Sequence, residues 1–201
     1  MLRITTALFL LAPVAAAAQC LTPADLDRGI TVEYGNGNIS HIERGDGGIL
    51  VDAYDERDSY YKQTIIFESQ DGVFPLGWST YEEGRWNKQR GGTISYGFTP
   101  ATAASFGVGA TGLGTITVSD VGYFDGDKTF SWRVYESEPL TIGDCSYEAL
   151  RVFTTISNLP RGDLYVSEIK YLPGLGIGLQ LGNSYFGLSP DNSVIASLTA
   201  D

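Results

Sequence analysis

Residues 171–182 read Tyr-Leu-Pro-Gly-Leu-Gly-Ile-Gly-Leu-Gln-Leu-Gly. From Leu175 to Leu181 an apolar residue alternates with a glycine or a glutamine, which is the period of a β-strand with one apolar face. Glycines on the other face weaken a strand, so they indicate that the chain bends there or that another layer approaches the backbone closely. A ligand lying against Gly176 and Gly178 is a second interpretation. The stretch therefore predicts a strand from Leu175 to Gly182 whose apolar row is buried.

The same alternation recurs along most of the chain, in short runs separated by turn residues. Ile30 to Tyr34 and Ile39 to Glu43, for example, are joined by Gly-Asn-Gly-Asn, which is typical of a hairpin. We predict an all-β, mainly antiparallel fold of roughly nine to eleven strands, a meander that forms a barrel, a half-barrel or a sandwich. One short helix is expected after the amino-terminal leader, because Thr22, Pro23 and Asp25 are suited to a helix start.

The amino terminus has the features of an export signal. Arg3 precedes an apolar run, and Ala15 to Ala18 offer small-residue cleavage sites. We predict a signal peptide over residues 1–18 and a single β-rich domain over residues 19–201. No later stretch is long and apolar enough for a membrane-spanning helix, so no transmembrane segment is expected after signal cleavage. The expected location is periplasmic or secreted.

The chain has two cysteines, Cys20 and Cys145. In an exported protein they are expected to form a disulfide. The alternative is a lipid-anchored Cys20. It is disfavoured because Gln19 stands where a lipoprotein signal requires a small residue.

Charge and residue types exclude several function classes. A net charge of −11 argues against nucleic acid as a partner. We predict no metal site, because the single histidine and two cysteines are too few for structural zinc and no calcium-loop spacing occurs. The acidic group Asp52, Asp55, Glu56 and Asp58 is interpreted as a solvated hairpin end. We predict no cofactor: residues 107–112 match a glycine fingerprint for dinucleotides in form only, since a β-like segment follows them where a helix would be required.

The remaining candidates for a binding site are aromatic. We name Trp78, Tyr96, Phe106 and Trp132, together with Gly176 and Gly178, as candidate ligand contacts, because aromatic walls are usual in ligand pockets. The plainer interpretation, that the aromatic residues fill the core, is the one the sequence favours. The glycine-rich segment 99–114 is a candidate cover for such a site.

The pattern Tyr171-x-Pro173-Gly174-x-Gly176 followed by an alternating strand resembles the last hairpin of exported bacterial β-meander half-barrel proteins. Their broad superfamily includes periplasmic lipoprotein and lipid carriers. The resemblance implies a non-enzymatic exported module that binds a hydrophobic small molecule or lipid. Two alternatives stay open: a structural or protein-interaction module of the cell envelope, and a hydrolase that uses two facing carboxylates.

Overall fold

A computed structural model describes residues 20–57, 63–82, 85–101, 105–120, 125–158, 162–185 and 193–201. The predicted signal peptide, residues 1–18, lies outside the described residues. The described chain is all-β, with 66% of residues in strands. Within these ranges no helix has the length and apolarity to span a bilayer.

Fourteen strands are present in the described ranges, more than the alternation predicted, partly because β9 and β10 have only three residues each. The strands are β1 Ile30–Tyr34, β2 Ile39–Arg44, β3 Leu50–Glu56, β4 Gln63–Gln70, β5 Phe74–Glu82, β6 Arg85–Tyr96, β7 Thr111–Asp120, β8 Gly126–Glu136, β9 Leu140–Ile142, β10 Cys145–Tyr147, β11 Leu150–Asn158, β12 Asp163–Leu172, β13 Ile177–Tyr185 and β14 Ile195–Ala200.

Twelve of the strands form one antiparallel sheet in the order β13-β12-β11-β8-β7-β6-β5-β4-β3-β2-β1-β14, and β9 and β10 form a separate hairpin. The sheet is nearly closed into a barrel. At the seam, the backbone N–H of Ser193, just before β14, donates to the Leu181 carbonyl of β13 over 2.6 Å. The prediction of an all-β antiparallel meander is therefore confirmed.

The core divides into two clusters of buried side chains. The first joins strands at the two ends of the sheet and includes Ile30, Val32, Leu172, Ile177 and Leu179. The second is aromatic and surrounds Phe74, which is fully buried. The rings in contact with Phe74 belong to Tyr96, Phe106, Phe130 and Trp132. Phe98 packs on Phe130, and Tyr171 packs on Phe106. This second cluster fills part of the barrel interior and leaves the remainder as a cavity.

The predicted amino-terminal helix is a 3₁₀ helix, Pro23–Asp27. Its start is stabilised as expected, because the backbone N–H and the hydroxyl of Thr22 both donate to the Asp25 carboxylate, at 2.8 and 2.9 Å. These hydrogen bonds lower the pKa of Asp25. The predicted disulfide between Cys20 and Cys145 is present, and it connects this segment to the β9–β10 hairpin.

The strand predicted from Leu175 to Gly182 differs from the observed structure at both ends. Leu175 and Gly176 lie in the turn between β12 and β13, and the strand begins at Ile177. Gly176 has φ +71°, a turn conformation that a side chain would strain. Near the other end Leu181 forms a bulge, because Ile169 pairs with Gln180 and Glu168 pairs with Gly182. Between these points Ile177 and Leu179 are buried as predicted.

The segment predicted as a cover is partly a strand, since β7 begins at Thr111. Residues 102–104 lie outside the described residues. Before β7, the backbone N–H of Gly109 donates to the Val134 carbonyl, and the N–H of Val134 donates to the Ala110 carbonyl. The pairing of this segment with β8 thus extends beyond the start of β7.

Candidate functional site: a cavity inside the barrel

The candidate site is a cavity of about 260 Å³ bounded by β1–β5 on one side and β11–β13 on the other. This volume is just below the ~300–1,000 Å³ that is usual for pockets of drug-sized ligands. The cavity is therefore suited to a small ligand.

Strand register arranges the lining residues in levels. Leu50, Val73 and Ile169 lie at the end where the β4–β5 turn closes the barrel, and they are apolar. Asp52, Phe67 and Ile42 form a middle level, because Asp52 pairs with Phe67 on one side and with Ile42 on the other. The upper rim is polar and consists of Asn36, Asn38, Glu56, Asn183 and Ser193. A ligand would thus meet an apolar floor and a polar rim.

The floor depends on a close contact between two backbones. Asp71 and Gly72, the central residues of the β4–β5 turn, both have positive φ, at +55° and +68°, as in a type I′ turn. A Cβ on Gly178 would lie 2.6 Å from the Gly72 carbonyl oxygen and 2.9 Å from its carbon. The bare face of β13 is therefore in contact with another layer at Gly178.

Asp52 is the most unusual group in the cavity. It lies on β3 between Leu50 and Tyr54 on the inward face, and its Oδ1 is sealed from solvent. Burial raises the pKa of Asp52 to about 7, and the nearby hydroxyl of Ser40 opposes part of that rise. Among the described residues, however, neither Asp52 Oδ1 nor Ser40 Oγ has a hydrogen-bond partner of good geometry. Part of the carboxylate is thus desolvated without compensation.

Two tyrosines lie near this carboxylate. The rings of Tyr34 and Tyr54 meet edge to face, with centroids 6.0 Å apart. The Tyr54 hydroxyl accepts a hydrogen bond of 2.7 Å from the Asn38 side-chain amide, which itself accepts one from the Arg57 backbone N–H. Burial, and then the charge of Asp52, raise the pKa of the Tyr34 hydroxyl, so that hydroxyl stays neutral.

The charges around the cavity are of one sign. Its described lining contains three acidic residues, Asp52, Glu56 and Glu68, and no lysine, arginine or histidine. All three come from the neighbouring strands β3 and β4. The facing strands contribute uncharged groups, including Thr154, Ser167 and Gln180. The described lining therefore lacks the pair of carboxylates on opposite walls that a glycosidase arrangement needs.

Of the six candidate ligand contacts predicted from the sequence, Gly178 alone borders the cavity within its described lining. Tyr96, Phe106 and Trp132 belong to the aromatic cluster around Phe74, and Trp78 packs against it. Gly176 lies in the turn before β13, where no atom is within 4 Å of the position of a Cβ. The structure thus places the four aromatic residues in the core, and their contact with a ligand stays a prediction.

Asp52 was not predicted as a site residue from the sequence, because it was grouped with the acidic residues of a hairpin end. The alternation offered a usable signal: Leu50, Asp52, Tyr54 and Glu56 share one face of β3, and that face begins with a buried leucine. A carboxylate on an inward strand face is exceptional. Asp58, from the same group, lies outside the described residues.

The resemblance to half-barrel proteins rests on the turn from Tyr171 to Gly176 and remains a prediction. In the structure this turn links β12 to β13, and its Pro173 and Gly174 lie outside both strands. Among family models, curated proteins and solved structures, no match to this chain was found.

Proposed function

We propose that this protein is a non-enzymatic, exported binding module that holds a small amphiphilic molecule in the barrel cavity. The observation that carries the proposal is the cavity itself, enclosed between the two ends of the sheet with an apolar floor and a polar rim. Such a combination of apolar surface with a few fixed polar groups is typical of ligand sites. A hydrophobic body would occupy the floor, and a polar end would lie toward the rim.

Export to the periplasm or the cell exterior is part of the proposal. The disulfide between Cys20 and Cys145 supports it, because disulfides persist mainly in oxidising compartments. The acidic composition and the leader-like amino terminus agree with the same location.

Native mass spectrometry of protein isolated from its own host without refolding tests the binding function. We expect a retained small-molecule mass on the wild-type protein. Gln180→Phe would fill the cavity from β13 with a residue that suits a strand, and we expect it to lose that mass. Thr93→Phe, on an exposed strand position, is the matched control and should retain it. Wild-type protein without any retained mass, or equal retention by Gln180→Phe, would argue against the cavity as the site.

A second candidate function, an interaction module of the cell envelope, is supported by the outer face of β7, β8 and β11. There the rings of Tyr135 and Phe153 meet edge to face at 5.7 Å, with Arg133 over the first ring and Arg151 over the second. Leu113 on β7 is 73% exposed. If this surface binds an envelope partner, Tyr135→Glu should release the protein from the envelope fraction and leave any retained small molecule in place.

A further inference from the structure

The partly sealed carboxylate of Asp52 determines which kind of ligand suits the cavity. A carboxylate that is partly sealed from water costs free energy unless a cation or hydrogen-bond donors compensate it. In the part of the chain that the structure describes, no lysine, arginine or histidine forms an ion pair with Asp52. The described residues therefore leave the charge of Asp52 without a cationic partner, and a ligand could supply one.

The surroundings of Asp52 favour a cation as that partner. Glu56 is on the same face of β3 and also lines the cavity, so the two charges add to a negative potential there. The paired rings of Tyr34 and Tyr54 supply aromatic faces, which attract cations. Asn38 holds the Tyr54 hydroxyl in place, so the Tyr54 ring is oriented before a ligand arrives.

The remainder of the cavity limits the shape of the ligand. Leu50, Val73 and Ile169 form a floor with room for a small apolar body, and Phe67 adjoins Asp52 at the middle level. A bare metal ion would leave this floor empty, and an anion would be repelled by the acidic wall. An organic cation satisfies both parts of the cavity.

We infer that the cavity binds a small organic ammonium ion, with Asp52 as its counterion, Tyr34 and Tyr54 against the charged group, and the apolar floor against its hydrocarbon part. This inference rests on the proposed binding function and names the class of its ligand.

Calorimetric titration of the mature protein at pH 8 with three probes of the same shape tests the inference. The probes are 2-phenylethylamine, the neutral 2-phenylethanol and the anionic phenylacetate. We expect the amine to bind at least about tenfold more tightly than the alcohol, since a close charge pair contributes about 1.4 kcal/mol or more when desolvated. Phenylacetate should not bind measurably.

Asp52→Asn keeps the shape of the side chain and removes its charge. We expect the variant to bind the amine and the alcohol with affinities within about threefold of each other. Asp144→Asn makes the same change at an exposed turn position and should leave the preference for the amine intact. Equal affinities for amine and alcohol in the wild-type protein, or no binding of the amine, would overturn the ammonium assignment.

The pH dependence of the wild-type protein gives an independent measurement. Because burial raises the pKa of Asp52 to about 7, the carboxyl must release a proton before it can pair with the amine. Affinity should therefore be nearly level from pH 8 to pH 9, fall to about half at pH 7, and be about tenfold lower at pH 6 than at pH 8. The other titratable groups that line the cavity are the Tyr34 and Tyr54 hydroxyls, Glu56 and Glu68; β11–β13 contribute none to the described lining. An affinity that does not change between pH 6 and pH 8 would contradict the role of Asp52.

The two proposals fail in different ways. Native mass spectrometry that finds a retained neutral or anionic molecule would keep the binding function and reject the ammonium ligand. Binding of the amine that is unaffected by Gln180→Phe would place the ammonium site outside the cavity, and it would count against both proposals.

Discussion

Asp52 carries a cost in stability that its proposed role in binding would explain. The inward face of β3 puts its carboxyl beside Leu50 and Tyr54, with Oδ1 sealed from water. An asparagine of the same shape at this position would avoid the desolvation of a charge. The carboxylate is therefore better explained by a ligand than by the packing of the core.

Replacing Asp52 by asparagine should stabilise the protein in a pH-dependent manner. The folded-state pKa of about 7 lies above the ordinary pKa of an aspartate, 3.8, so the folded protein binds a proton that the unfolded chain has released between about pH 4 and pH 7. Wild-type stability should fall across this window by up to about 4 kcal/mol, at about 1.4 kcal/mol per pKa unit. Thermal melting of both proteins from pH 4 to pH 8 measures the effect: Asp52→Asn should match the wild type near pH 4 and melt higher at pH 8. A constant difference across the range would show that Asp52 does not titrate in this window.

Gly178 is required by contact rather than by its own backbone conformation. A side chain at this position would overlap the backbone of Gly72, which cannot move without distorting the β4–β5 turn. The sequence indicated such a contact through the alternation of glycines.

Gly178→Val should lower the free energy of unfolding by roughly 1 to 3 kcal/mol through this clash. Gly174→Ala is the matched control, since a Cβ there would have no atom within 4 Å and the residue does not have a positive φ. Chemical denaturation of both variants decides the point. A Gly178→Val protein as stable as its parent would show that no other layer packs against the glycine face of β13.

Among the strands, β13 contributes one row of side chains to a core cluster and the other row to the cavity. Its Ile177 and Leu179 join the first core cluster, whereas Gly178 and Gln180 border the cavity. A strand usually separates core from solvent, and here it separates core from a cavity. Substitutions on the core row of β13 should therefore change stability, and substitutions on the cavity row should change binding.

Leu179→Ala should cost about 2 to 5 kcal/mol of stability, because Leu179 is 1% exposed and its truncation leaves a cavity in the core. Gln180→Ala, one residue on, should cost less than about 1 kcal/mol and should instead alter binding. Denaturation in urea, followed by titration with 2-phenylethylamine, separates the two effects. Similar losses of stability from both changes would mean that β13 does not have two distinct rows.

At the scale of the whole molecule, the disulfide joins parts of the chain that are remote in sequence. Cys20 and Cys145 are 125 residues apart. The backbone N–H of Leu21 also donates to the Tyr147 hydroxyl over 3.0 Å, so the amino-terminal segment is held against the β9–β10 hairpin by a second contact. This region packs against the first core cluster through Leu26, Leu140 and Ile142.

Replacing both cysteines by serine should lower stability by about 4 to 5 kcal/mol on the chain-entropy model, because the unfolded chain loses a long closed loop. For a chain of this size that corresponds to a fall in melting temperature of roughly 8 to 20 °C. Scanning calorimetry of the double variant and of wild-type protein in reductant measures it, with Ser146→Ala as a control at an exposed neighbouring position. An unchanged melting temperature, with both thiols shown to be free, would exclude a stabilising role.

The antiparallel β class, the cysteine pair and the helical start at Pro23 could be predicted from the sequence. Those features depend on local signals: period-two alternation, turn residues such as Asp71-Gly72, and the number of cysteines. The contact between Gly178 and another layer was also visible, because three alternating glycines are hard to explain on an exposed strand. The bulge at Leu181 was not, since a single extra residue leaves no mark in the alternation before it.

The position of the cavity and the residues that line it depend on how the whole chain folds. Tyr96, Trp132 and Asp52 all lie on inward strand faces, and alternation cannot tell a face that packs from a face that encloses space. That distinction depends on how far the sheet curls before β13 and β14 meet. The curl places Phe74 and its neighbouring rings in a filled part of the barrel, and it leaves Asp52, Tyr34 and Tyr54 around an open one. Closure of the sheet is a sum of small twists over twelve strands, and it is therefore a property of the whole molecule.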